Sequence, residues 1–150
     1  LRYDGVRFLN DTFMPLGDEW TIAATTGFEC PESPWWRPEM QPHFEEAQKR
    51  LDFTLALATR SRPNTKILLM IHYPPRWDRS RSPTEYEKII ARYPVELVVY
   101  GHIHGPDLVY AHNGPFDIGG RTVRYENGSA DHVLFTPRCV LELPPMALLF

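Results

Sequence analysis

Two cysteines, Cys30 and Cys139, are all that this chain of 150 residues contains, and no CxxC spacing accompanies them. That is too few for a disulfide framework and the wrong pattern for a redox pair, so both are expected to be buried or idle thiols. No apolar run approaches the roughly 20 residues that span a bilayer, and the start Leu1-Arg-Tyr-Asp-Gly5 has neither the basic nor the apolar region of a signal peptide. The expectation is a soluble, cytoplasmic chain with no membrane partner. No block of like charge occurs, and a net charge of -3 gives no general basic field for nucleic acid, so any such contact would be local. Repeats and low-complexity tracts are absent. A composition of 43% hydrophobic and 23% charged residues excludes disorder and collagen and fits one domain with a real core.

What is present reads as α/β. Val6–Asn10 and Thr12–Met14 precede the turn-rich break Leu16-Gly-Asp-Glu19, and Trp20–Thr25 resumes the apolar pattern, which proposes a hairpin. Gly27 to Pro42 carries Pro31, Pro34, Pro38 and Pro42 around Trp35-Trp36 and reads as a long surface loop. From about His43 to Arg60, Phe44, Ala47, Leu51, Leu55 and Ala58 recur at steps of three and four, the spacing of one helical face, with Glu45–Lys49 and Glu46–Arg50 as outer pairs. Lys66–Ile71 is continuously apolar after its lysine, as a strand covered on both faces would be. Ser82-Pro-Thr-Glu85 has capping-box spacing and predicts a second helix to about Tyr93, before Pro94. Val95–Tyr100 then predicts another strand, which completes a βαβ unit with parallel strands. Short β-like pieces follow at Leu108–Ala111, Arg121–Tyr125 and Val140–Leu143.

If the two apolar strands are parallel neighbours, their carboxyl ends lie together, and so do His72 and the pair His102 and His104. Residues two apart in an extended loop point the same way, and Gly101 and Gly105 permit unusual dihedrals. Three converging imidazoles would suit Zn, Mn, Fe, Co or Ni. A lone histidine after a strand is more often a structural residue, which is the reading given to His43, His112 and His132. Arg76, Arg79 and Arg81 follow His72 around Trp77 and are candidates for binding phosphate oxygens, with a solvated arginine-rich loop as the equal alternative. Trp35-Trp36 form either a rim for a substrate or an anchor for their loop. Asp107 and Asp131 are candidates to orient a ligand histidine, or else to cap a turn.

At Ile71-His72-Tyr-Pro-Pro75 and Gly101-His102-Ile-His104 the chain resembles the calcineurin-like metallophosphoesterases, matching that family's single strand-end histidine and its GHxH motif. Gly27-Phe-Glu-Cys-Pro31, Tyr100–Gly105 and Ser129-Ala-Asp131 extend the resemblance to a bacterial branch of predicted phosphohydrolases, over nearly the whole chain. The resemblance implies the C-terminal part of a four-layer αββα sandwich with mixed sheets. It implies a centre of two divalent ions (Mn, Fe, Zn or similar) with His72 and His102 on one and His104 on the other. The expected reaction is hydrolysis of a phosphomonoester or phosphodiester by metal-bound hydroxide. The family's DxH, GDxxD and GNH motifs, which supply the bridging carboxylate and the probable general acid, have no counterpart in these 150 residues. Leu16-Gly-Asp18 is only a turn. The expectation is therefore an incomplete, inactive portion of a hydrolase, with self-association through an exposed sheet edge. A catalytically degenerate binding or scaffold domain of the same fold is the alternative, to be decided by the coding sequence upstream of Leu1. A cupin-like HxH site is disfavoured by the helices and by the lack of a glutamate shortly after His104.

Overall fold

The computed structural model describes residues 6–80 and 82–143. It is mixed α/β, with one six-stranded sheet among the described residues in the order β1-β2-β3-β4-β6-β5. The strands are β1 (Thr12–Leu16), β2 (Trp20–Thr25), β3 (Lys66–Ile71), β4 (Val95–Tyr100), β5 (Gly114–Ile118) and β6 (Arg121–Asn127). The hairpin β1–β2 turns through Gly17 at φ 64°. β2, β3, β4 and β6 are mutually parallel, and β5 pairs antiparallel with β6 at the edge.

Helix α1 (Gln41–Ser61) links β2 to β3, and helix α2 (Glu85–Ile90) links β3 to β4. Each crossover steps the same way along the sheet, and right-handed crossovers of that kind place both helices on one face. The core agrees with this. Phe44, Ala47, Leu51, Leu55 and Ala58 of α1, with Tyr86, Ile89 and Ile90 of α2, pack on Ala23, Ile67, Leu69, Val98 and Tyr125. Burial of one such large side chain is worth roughly 1.5–3 kcal/mol. The alternate strand residues Ile22, Leu68, Leu97 and Val99 face the other way, where among the described residues Leu16, Trp20, Val140 and Leu141 gather on them. Met70 on that face is 44% exposed. A groove of about 750 Å³ runs there, floored by Met14, Ile22, Met70 and Val99 and reaching His72.

Several expectations are corrected in detail. Val6–Asn10 and Val140–Leu143 form no strand, and Leu108–Ala111 belongs to the 3-10 turn Gly105–Tyr110 and its cap, because Gly105-Pro106 starts a tight turn instead of extended chain. The capping box is Thr84 with Glu87, two residues on from Ser82: the Thr84 hydroxyl accepts from the Glu87 amide at 3.1 Å, and the Glu87 carboxylate accepts from the Thr84 amide at 2.8 Å. On α1, Lys49 pairs with Glu46 and Arg50 reaches Asp11, so the anticipated four-residue pairs are not the ones formed. Arg62, just past α1, fixes the β1–β2 turn by donating to the carbonyls of Trp20, Gly17 and Asp18. Among the described residues no helix is long and apolar enough to cross a membrane.

Candidate metal centre

One line of register partners ends all four parallel strands: Thr25 beside Ile71, Ile71 beside Tyr100, and Tyr100 beside Asn127. In open parallel sheets the crevice outside the carboxyl ends of the strands is where ligands bind. Five groups follow that line by no more than four residues: Glu29 after β2, His72 after β3, His102 and His104 after β4, and Asp131 after β6. Main-chain bonds lace these loops together. The His72 and Tyr73 amides both donate to the Thr26 carbonyl, Gly101 donates to His72, and Gly128 donates to Tyr100.

His102 is the most constrained of the set. Its φ is 73°, and the Ile103 amide donates to the Gly101 carbonyl at 2.9 Å, which closes a γ-turn of the rare left-handed kind around it. A side-chain-bearing residue held there costs of order 1–3 kcal/mol, and such strain clusters at functional sites. The unusual dihedral expected at Gly101 thus falls on His102 itself, with Gly105 also left-handed at 58°. Tyr73 lies over the His102 ring at 4.1 Å between centroids.

The ring nitrogens are spaced with purpose. His102 Nδ1 lies 3.2 Å from His72 Nε2. Two nitrogens bound at roughly 2.1 Å to a common ion stand roughly 3.0–3.4 Å apart, so this pair fits two positions in the shell of one metal. On the far side of the ring, His102 Nε2 lies 2.9 Å from the Glu29 carboxylate. His104 Nδ1 lies 2.9 Å from Asp131 Oδ1, and Asp131 Oδ2 accepts from the Gly105 amide at 2.6 Å. The Gly105 amide above all, then the His104 contact, holds the Asp131 carboxyl below its ordinary value, which keeps it an acceptor. With Nδ1–H committed to Asp131, His104 offers Nε2 to a ligand. Partial burial first, and the neighbouring His102 and His104 next, push the His72 pKa down, which favours the neutral imidazole that binds metals.

The fit is to a single ion at the His72–His102 pair and not to a complete two-metal cage. Among the described residues no group of three or more His, Cys, Asp or Glu side chains converges to hold a metal ion. Of the residues singled out in the sequence, His72 and His102 are brought together, and His104 stands beside them on its own carboxylate. The arginines are not delivered to the site in the same way. Arg76 is 4% exposed and donates to the buried Glu87 at 3.0 Å and to the Ser80 carbonyl, with its guanidinium stacked on Phe116. The expectation that it meets substrate gives way to a structural role, because a charge this deep needs its carboxylate. Arg79 is exposed and stacks on Tyr110 at 4.1 Å, and Arg81 lies outside the described residues. Asp131 orients a histidine, and Asp107 lies in the first turn of the 3-10 segment. Trp35 packs edge-on against Trp77 and Trp36 against Phe44, which anchors their loop to the body.

Glu29 was not legible as a site residue. It lies 73 positions before His102, in a proline-rich loop without metal-ligand spacing. Its one signal was membership of Gly27-Phe-Glu-Cys-Pro31, a stretch that follows directly on β2. Cys30 beside it is 1% exposed, and burial pushes its thiol far above the range of a reactive cysteine. Comparison with family models, with curated proteins and with solved structures returned no match to this chain.

Proposed function

We propose that this chain supplies the histidine share of the metal centre of a phosphoester hydrolase, whose carboxylate ligands lie outside these 150 residues. The observation that carries this reading is the 3.2 Å approach of His72 Nε2 and His102 Nδ1 at the shared end of parallel strands, with His104 oriented by Asp131 alongside. The motif resemblance at Ile71–Pro75 and Gly101–Gly105 favours phosphoesters over other substrates. Divalent ions of the Mn, Fe or Zn class, when bound, supply charge neutralisation at phosphorus and acidify the attacking water. The chain's own work would be to hold them: His72 and His102 would supply two nitrogens to one ion, and His104 a third nitrogen to the other. The apolar sheet face of Ile22, Leu68, Met70, Leu97 and Val99, on which no helix packs among the described residues, supports the further reading that this unit is one half of an αββα sandwich.

The direct test is titration of the chain with Mn or Zn by calorimetry, in parallel with an aryl phosphate assay. Saturable binding lost in His72→Ala and His102→Ala, without turnover by the chain alone, is the expected outcome. Absence of any histidine-dependent binding would overturn the reading in favour of a degenerate scaffold domain. Robust hydrolysis by the isolated chain that vanishes in His102→Ala would overturn the claim that its centre is incomplete.

A further inference from the structure

We propose that Glu29 is the positioning residue of this centre: it accepts the hydrogen bond of the His102 Nε2–H and thereby makes Nδ1 the metal-facing atom. The inference rests on the metal-binding reading above. An imidazole carries one proton when neutral, so a carboxylate acceptor 2.9 Å from Nε2 places that proton there and leaves the Nδ1 lone pair toward His72. Metal-binding histidines regularly donate their other ring N–H to a carboxylate in this way.

Glu29 is built for the role. Only 8% of the residue is exposed, and its second oxygen, Oε2, is buried without a hydrogen-bond partner. A carboxylate so placed, with one oxygen unsatisfied, is costly unless something positive or hydrogen-donating completes it. The loop that carries it is fixed from three sides. Gly27, at φ 73°, lies so close to Ile71 that a Cβ there would meet its side chain at 2.9 Å. The Tyr86 hydroxyl accepts from the Phe28 amide at 2.9 Å and donates to the Phe28 carbonyl at 3.1 Å. Ser33 donates to the Cys30 carbonyl. The carboxylate is therefore set by α2 and β3 before any ion arrives, and it acts on a ring that already sits in a strained turn under Tyr73.

The test uses the chain labelled with ¹⁵N-histidine, and long-range proton–nitrogen correlation spectra to read the His102 tautomer without metal. Wild type is expected to be Nε2–H, and Glu29→Leu is expected to shift His102 toward Nδ1–H. Zinc affinity by calorimetry should then fall roughly 10–100-fold in Glu29→Leu and less in Glu29→Gln, whose amide oxygen still accepts. Circular dichroism melts establish that each variant folds, and Glu29→Gln, equal in size, keeps the test open if Glu29→Leu does not. An Nδ1–H tautomer in the wild type, or unchanged tautomer and affinity in a folded variant, overturns the proposal. A wild-type chain that binds no zinc sinks the metal reading instead, and the spectra still decide whether Glu29 governs His102.

Discussion

Replacing Glu87 by leucine removes the acceptor on which a buried polar cluster depends. Glu87 is 0% exposed and takes hydrogen bonds from Arg76 at 3.0 Å, from the Tyr125 hydroxyl at 2.9 Å and from the Thr84 amide at 2.8 Å. Without it the Arg76 guanidinium stays buried and unpaired, which costs about 3–5 kcal/mol, and the helix α2 loses half of its capping box. A total near 4 kcal/mol is roughly a quarter or more of the ~5–15 kcal/mol that holds a domain folded. At ~2–4 °C per kcal/mol for a domain of this size, the melting temperature should fall by ~8–16 °C. Urea and thermal unfolding followed by circular dichroism measure both quantities. The double variant Arg76→Met/Glu87→Leu, which replaces the pair by apolar groups, is expected to be more stable than Glu87→Leu alone. A cost below ~1 kcal/mol for Glu87→Leu, or a double variant no better than the single, would refute the account and return Arg76 to candidacy as a substrate residue.

Gly27→Ala should destabilise the chain by about 2 kcal/mol, since it adds a left-handed φ penalty to a contact of 2.9 Å with Ile71, and a melt unchanged within error would contradict the geometry. His112 is lowered in pKa, by burial first and by the Arg76 charge next, against the pull of Asp78. Its unfolded form therefore binds a proton more readily, so its contribution to stability is fully present above the ordinary histidine pKa near 6.5 and is lost as pH falls from there through the lowered folded value. Unfolding free energies between pH 7.5 and 5 should show this slope, and His112→Phe should flatten it.

The long apolar elements were readable because burial on both sides writes itself into sequence. Lys66–Ile71 and Val95–Tyr100 stand where the apolar runs place them, and the five apolar positions of α1 all face the sheet. β5 escaped notice because Gly114, Pro115 and Asp117 are turn formers that an edge strand tolerates. The histidines could be placed from topology alone, since parallel neighbours must end together. Asp131 was readable as a candidate to orient a histidine, though not that its partner is His104. What could not be read were partners that depend on loop paths: Glu29 arrives from the end of β2, and Arg76 turns inward to a glutamate eleven residues away. Pairings of this kind have no periodicity and no spacing rule.

The lacing of the strand ends by main-chain amides changes how the site can be altered over time. Gly101 on His72, Gly128 on Tyr100, and His72 and Tyr73 on Thr26 are contacts of backbone atoms, so they survive exchange of the side chains they carry. The sheet edge is in that sense a socket with interchangeable pins. Its shape is inherited from the strands, while the chemistry it presents is written in the few residues that follow them.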